Sequence, residues 1–356
     1  MVEFKSNHGT EMGGILKITR VGVVGIVLPC MLSFVVYYGF FSDYAGAGFH
    51  REGFLSFYES GVVKYRVLGR ELLLKTHSVV VSQTWAGRLA RRFLPDVPRC
   101  MPMADPKGNA WFYGAIFIQN TVFFVGAALV LYALFHHGCV TPGARAFAMG
   151  RYGIGLLMMT LTQFVPTAYD MVTCFFFLAA AYLIVYAGRW GFPGLLICVF
   201  LGTLTRESAV ITLAFFFAYH IDELVKLNRQ AIGRLVSLTL VFAITYVVLR
   251  VYYGTDHAMW QMVRWWLNLF DQKSLCGILL FPVMCWMIMA GVSSVRRCWV
   301  FLVACLPYVI AMTIIANTWE IRLWVPVWLG LLVLAYVDTE KDNSRVPVSS
   351  NMSARC

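Results

Sequence analysis

Charge is what this sequence has least of. Only 13% of its 356 residues are Asp, Glu, Lys or Arg, about half the ~25% of an ordinary soluble domain. So few charges cannot coat a water-exposed surface of this size, which argues against a soluble globular protein. Cysteine is present but unpatterned. There is no CxxC pair, and half of the ten cysteines (Cys30, Cys174, Cys198, Cys285 and Cys305) lie inside apolar runs. There they read as small apolar residues rather than a disulfide framework or a metal site. GxxxxGK[ST], HExxH and GxSxG are all absent, and His136-His137 stands apart from any second ligand pair. The sequence also has no low-complexity tract or solenoid repeat, and no small-x-small cleavage site follows its first apolar run.

What it does have is long apolar runs. Hydrophobic residues make up 60% of the chain, and the mean hydropathy is +0.70. Runs such as Val21–Phe41 and Leu235–Leu249 have the length a helix needs to cross a ~30 Å hydrocarbon layer at ~1.5 Å per residue. They are too uniformly apolar for the alternating strands of a barrel. The expected fold is therefore an all-α integral membrane bundle, one polytopic domain over residues 1–338 with a polar tail at 339–356. About ten spans are expected, near 21–41, 112–135, 153–168, 170–188, 192–204, 208–221, 235–253, 275–292, 298–316 and 321–338. The net charge of +11 would suit nucleic acid if a soluble basic domain carried it. None does, so the partner expected is the lipid bilayer, with no nucleic acid.

The stretch 192–221 is ambiguous. Thr205-Arg206-Glu207 interrupts two short apolar runs, so it is either one long helix with a charged pair inside or a hairpin turning at Arg206-Glu207. The distribution of positive charge favours the hairpin. With it, fourteen short-segment Lys and Arg residues fall on the side of the N-terminus, and Arg206, Arg250, Arg264, Lys273 and Arg322 fall opposite. Both termini are then expected to be cytoplasmic, in a multi-pass inner membrane, and Asn351-Met352-Ser353 falls on the cytoplasmic side. The same topology gathers Asp43, Arg66, Asp170, Arg206, Glu207, Asp256, Glu320 and Arg322 on the outer side, near apolar boundaries. Ionisable groups at that depth usually face a cavity or a partner. Each has a plainer reading as well. Thr205 would cap a helix carrying Arg206-Glu207, Asp170 would cap the helix that follows it, Glu320 and Arg322 would be solvated anchors, and Asp43 an ordinary loop acid.

The one long hydrophilic stretch, 42–111, holds two segments with basic and apolar residues at helical spacing. These are Tyr65–Leu74, which includes Arg66 and Arg70, and Trp85–Leu94, with Arg88, Arg91 and Arg92 at i, i+3, i+4. They read as helices in the headgroup layer, there either for adhesion to anionic lipid or for recognition of a lipid phosphate. Trp260, Trp265 and Trp266 read as an interfacial belt, or as a platform for a sugar.

Five short elements occur in order: Asp43 after the first span; Tyr65-Arg66-Val67-Leu68; Pro166-Thr167-Ala168-Tyr169-Asp170; Thr205-Arg206-Glu207-Ser208-Ala209; and Glu320-Ile321-Arg322 ahead of Pro326. This ordered set resembles that of bacterial multi-pass membrane proteins related to the GT-C glycosyltransferases. The resemblance implies a helical bundle with horizontal helices in the first outer loop and an active site at the outer face. It implies a polyprenyl-phosphate-linked sugar as donor and a glycan, lipid or protein as acceptor. By the same likeness Asp43 would be the catalytic base or help hold a divalent cation, and Arg66, with Arg206, would bind the donor phosphate. Arg70, Asp170, Glu207, Glu320 and Arg322 would bind substrate or brace the cavity. The adjacent acid pair usual in the first loop of such enzymes is absent, since Glu52 and Glu59 are the acids nearest to Asp43. The sequence leaves two rivals, a polysaccharide polymerase or ligase and a lipid or solute transporter.

Overall fold

The computed structural model describes residues 19, 21–40, 51–59, 61–94, 106–137, 142–188, 191–254, 265–290, 292 and 294–345. Regular structure among them is helical throughout, with no strand. The first apolar run forms α1 (Val23–Gly39), with π-helical turns at Val23–Val27 and Val35–Gly39 on either side of Leu28–Phe34. Pro29 lacks the N–H that the α-helical ladder requires of it, and a wider turn just before it accommodates the missing bond.

The segment after α1 then holds three short helices, α2 (Arg51–Glu59), α3 (Val67–Val81) and α4 (Trp85–Phe93). The expected helices at Tyr65–Leu74 and Trp85–Leu94 are both present. Thr84 caps α4, its hydroxyl accepting from Gly87 N. The arginines of α4 are partly spoken for: Arg88 donates to Gln83 O at 2.7 Å, and Arg91 to Val80 O at 2.6 Å and Ser82 O at 3.0 Å. Arg91 thus ties α4 to the end of α3 and satisfies carbonyls that a helix C-terminus leaves bare, while Arg88 braces the turn between the two helices. These helices rest on a core of their own, where Phe54, Tyr58, Leu73 and Phe112 pack with Tyr37 and Tyr169.

Helix covers most of each of the other nine apolar runs. They form α5 (Pro106–His136), α6 (Pro142–Thr162), α7 (Asp170–Tyr186), α8 (Phe192–Thr205), α9 (Val210–Tyr219), α11 (Arg229–Tyr253), α13 (Gln272–Met289), α14 (Arg296–Ile315) and α15 (Val325–Arg345). The run expected as a span at 153–168 differs: α6 starts earlier, at Pro142, and ends at Thr162. Two short helices, α10 (Ile221–Val225) and α12 (Trp265–Phe270), precede α11 and α13. Among the described residues four helical stretches are long and apolar enough to cross a membrane, namely Ala110–His136, Arg229–Tyr253, Gln272–Met289 and Arg296–Ile315, while the apolar stretches Val23–Gly39, Asp170–Tyr186, Phe192–Thr205, Glu207–Tyr219 and Val325–Thr339 are shorter.

The break between α8 and α9 is a reversal. Arg206 is extended (φ −165°, ψ 149°) and is followed by a 3-10 turn at Glu207–Ala209. Arg206 lies beside Asp170 at the start of α7. At the far end of α9, the Tyr219 hydroxyl bonds Val185 O near the end of α7, at 3.4 Å. The chain therefore climbs along α7 and comes back. Thr205 is not a cap, because its hydroxyl donates back to Leu201 O within α8.

Helix α15 is the central post. From Leu323 to Val337 nearly every residue is buried, including Trp324 and Trp328, as expected of a helix apolar on all sides. Helix α11 is the opposite case, exposing Val236, Leu240, Ile244, Val247 and Val251 along its length.

Candidate functional site

The ends of five elements meet at one end of the bundle and bring charged side chains with them. Asp170 is the first residue of α7 rather than its cap. The Thr167 hydroxyl takes the Asp170 N–H at 3.2 Å and donates to Asp170 Oδ2 at 2.7 Å. The carboxylate itself faces two guanidiniums. Arg206 Nη1 lies 2.6 Å from Oδ1, and Arg322 Nη1 lies 3.1 Å from Oδ2. Arg322 also grips Glu320 through Nη2 at 2.6 Å and Nε at 2.8 Å, and Asn317 donates to the other Glu320 oxygen at 3.1 Å. Arg322 lies within a short 3-10 turn at Ile321–Leu323, just ahead of α15, and Glu320 stands at the N-cap position of that turn. These four residues form a compact, buried group in which two cations meet two anions.

Next to it is a looser group. Glu207 Oε1 lies 3.3 Å from Arg250 Nη2, and Glu207 Oε2 lies 3.5 Å from Arg66 Nε. Aromatic rings hold both arginines from behind. Arg66 stands over the Tyr169 ring at 4.2 Å, and Arg250 over Tyr65 at 3.6 Å and Tyr246 at 5.0 Å. Such cation–π contacts fix a guanidinium while leaving its edge N–H groups available. Tyr65 is itself anchored by its hydroxyl on Gly254 O at 2.6 Å. Arg66 ends the 61–66 segment at the N-cap position of α3, with φ −87° and ψ 60°. Burial by itself would lower its pKa; Tyr169, Glu207, Tyr58 and Asp170 around it more than offset that and raise it. Arg66 stays charged at any ordinary pH.

The loose group opens into a cavity of about 420 Å3 between α9, α11 and α14. Arg66, Arg206, Glu207 and Arg250 form one end of it, and side chains such as Ile211, Phe242, Tyr308 and Met312 form apolar walls. A cationic mouth on an apolar cleft is chemically amphiphilic. It suits a molecule with an anionic head and a hydrocarbon body.

Of the residues singled out in the sequence, Arg66, Asp170, Arg206, Glu207, Glu320 and Arg322 meet in this one cluster. Arg70 lies beside it. It pairs with Glu71 at 3.1 Å and stands 6.0 Å from the Tyr253 ring centroid. Asp43 and Asp256 lie outside the described residues, as do Trp260 and Arg264. Three contributors were not expected. Arg250 read as a positive charge at the end of a span, and Tyr169 and Tyr65 read as neighbours of more conspicuous residues. The only sequence signal for Arg250 is an arginine in the last turn of an otherwise apolar helix.

The cluster does not have the form of a cation site. Asp170, Glu207 and Glu320 each face arginine, and no group of three or more His, Cys, Asp or Glu side chains among the described residues is placed to hold a metal. Comparison of the chain with protein-family models, with curated proteins and with solved structures gave no match.

Proposed function

We propose that the protein is a multi-pass inner-membrane enzyme that transfers a sugar from a polyprenyl-phosphate donor to an envelope acceptor at the outer face. In this reading the ten apolar helices are spans and both termini are cytoplasmic. The first outer segment lies in the headgroup layer, and the arginine cluster faces outward. The observation that carries the reading is the cleft, whose apolar walls between α9, α11 and α14 end at Arg66, Arg206 and Arg250. A polyprenyl chain fits the walls, and a phosphate fits the guanidiniums.

The chemistry follows from that placement. When the acceptor oxygen attacks the anomeric carbon, the sugar–phosphate bond breaks and the phosphate leaves with the electron pair. Guanidiniums held in place beforehand by Tyr169, Tyr65 and Tyr246 would stabilise that developing charge without reorganising. The acceptor proton must go to a base, and Asp43 is assigned that role by the resemblance. Location of the charges favours an enzyme over a transporter. They stand at helix ends, at Asp170, Arg206 and Arg322, rather than in the middle of broken helices.

The test is transfer in proteoliposomes from radiolabelled polyprenyl-phosphate sugars. Wild-type protein is expected to move label to acceptor lipid or glycan, and Asp43→Asn and Arg250→Gln to lose that transfer. Label that crosses the bilayer still attached to its lipid would favour a transporter. Equal turnover by wild type and Asp43→Asn would remove Asp43 from catalysis.

A further inference from the structure

Within one cluster the three carboxylates are held very differently. Asp170 and Glu320 are nearly inaccessible, with side chains 6% and 8% exposed, and each has a 2.6 Å contact to arginine. Glu207 is 28% exposed and, among the described residues, has arginine contacts only at 3.3 and 3.5 Å. Charge-assisted N–H···O bonds are ordinarily about 2.7–2.9 Å. The contact to Arg66 is an ion pair without hydrogen-bond geometry, and Arg66 Nε is buried with no hydrogen-bond acceptor among the described residues. A guanidinium N–H left in that state is costly. It faces Glu207, the carboxylate that lines the mouth of the cleft.

We propose that Arg66 and Arg250 form a phosphate seat which Glu207 occupies at rest and vacates when a phosphate-bearing lipid enters the cleft. The proposal rests on the lipid-phosphate reading of the cleft given above and adds how the site is kept closed. The two arginines do not depend on Glu207 for their positions, because Tyr169 backs one and Tyr65 and Tyr246 back the other. The shape of the anion favours exchange. One carboxylate spreads its two oxygens over two guanidiniums and reaches each only at long range. The free oxygens of a tetrahedral phosphate diverge more widely than the coplanar pair of a carboxylate and can offer short bonds to both, including Arg66 Nε. Glu207 is also free to withdraw. It begins the 3-10 turn at the reversal, while the preceding residue, Arg206, stays tied to Asp170. The latch gives selectivity. A neutral lipid cannot displace Glu207, and an anion without a hydrocarbon body gains nothing from the apolar walls to offset the displaced ion pairs.

The test is a binding titration on the full-length protein in detergent micelles, read by native mass spectrometry. The probes are farnesyl phosphate, dioleoyl phosphatidate and inorganic phosphate. Glu207→Gln removes the competing anion and is expected to tighten farnesyl phosphate about tenfold, equivalent to ~1.4 kcal/mol. Glu207→Asp keeps the charge but shortens its reach, and is expected to fall between wild type and Glu207→Gln. Arg66→Gln and Arg250→Gln are expected to weaken binding about tenfold. Unchanged or weaker binding of all three probes by both Glu207 variants, with thermal midpoints near wild type, overturns the latch. Tightening of farnesyl phosphate alone supports both the latch and the isoprenoid donor. Equal tightening of phosphatidate supports the latch and counts against an isoprenoid-specific donor. Tightening of inorganic phosphate alone supports the latch and takes the hydrocarbon body out of the cleft.

Discussion

Asp170→Asn separates two accounts of why an acid stands at the start of α7. If Asp170 only favoured the helix start, its loss would cost what a helix-end interaction costs, about 0.5–2 kcal/mol. The structure gives it a different task. Its oxygens meet Arg206 at 2.6 Å and Arg322 at 3.1 Å, with its side chain 6% exposed. Asparagine keeps the shape and one acceptor, but its NH2 group then faces a guanidinium or the Thr167 hydroxyl, and the negative charge is gone. Removing one partner from a buried ion pair costs about 3–5 kcal/mol; here Arg206 loses its carboxylate, while Arg322 keeps Glu320. That is a large part of a typical total of about 5–15 kcal/mol. The assay is SDS-driven unfolding of the purified protein in mixed micelles, followed by tryptophan fluorescence. Adding Arg206→Gln to Asp170→Asn is expected to cost less than the two changes separately, with a coupling of about 1–3 kcal/mol. A loss below ~1 kcal/mol for Asp170→Asn, or strict additivity with Arg206→Gln, would refute the buried-network account.

Further predictions concern helix packing and the titration of one histidine. At Gly277 a Cβ would overlap Thr318 O and stand 2.8 Å from Trp319 Cα, so Gly277→Ala must push away the turn that carries Glu320. We expect a loss of about 1–3 kcal/mol in the same unfolding assay. Gly150→Ala, where nothing lies within 4 Å, is expected to be stabilising by about 0.5–1 kcal/mol because it removes a glycine from inside α6. Equal effects at the two positions would contradict the packing described. His77 lies on α3 against Phe112 at 5.3 Å. Burial, and then the Arg51 guanidinium, lower its pKa, so the folded protein binds fewer protons there than the unfolded chain. That contribution to stability is complete above the ordinary histidine value of about 6.5 and is lost as pH falls below it. The thermal midpoint of wild type is expected to drop between about pH 7.5 and about pH 5.5 more steeply than that of His77→Asn, and parallel curves would show that His77 carries none of the dependence.

Much of this was legible because charges in an apolar chain have few places to go. Arg206-Glu207 between two apolar runs had to be a turn or an expensive interruption, and the turn is what forms. Once the reversal is fixed, Asp170, Arg206 and Arg322 fall at the same end, and their pairing follows from the cost of leaving any of them alone. Hydropathy said less about which helix stands where. The run that becomes α15, buried from Leu323 to Val337, and the run that becomes α11, exposed along Val236–Val251, look alike as apolar runs, because lipid and protein interior are both apolar. Helical spacing of Arg88, Arg91 and Arg92 pointed to the headgroup layer, yet Arg91 closes carbonyls at the end of α3 and Arg88 one in the turn that follows it, an arrangement the spacing does not encode. Arg250 was overlooked for a related reason. Its importance comes from meeting Glu207 and Tyr65, which are far from it in sequence.

The opposite end of the bundle shows how the cluster's charges divide. There Arg297 bridges Asp222 at 3.3 Å and Asp338 at 2.9 Å, tying α10 and α14 to the end of α15. Helix α15 is therefore pinned by ion pairs at two levels, through Arg322 just ahead of its start and through Asp338 within it. The tight group of Asp170, Arg206, Glu320 and Arg322 is the pin ahead of its start. Its short contacts and low exposure suit holding helices together, and substitutions there should act first on stability. The loose group of Arg66, Glu207 and Arg250 joins the α8–α9 turn to α3 and α11 by longer contacts and opens to the cleft. Its substitutions should leave the fold nearly intact and change what the cleft binds. Two sets of charges within one cluster thus differ in the quantity that exposes them, unfolding for one and ligand affinity for the other.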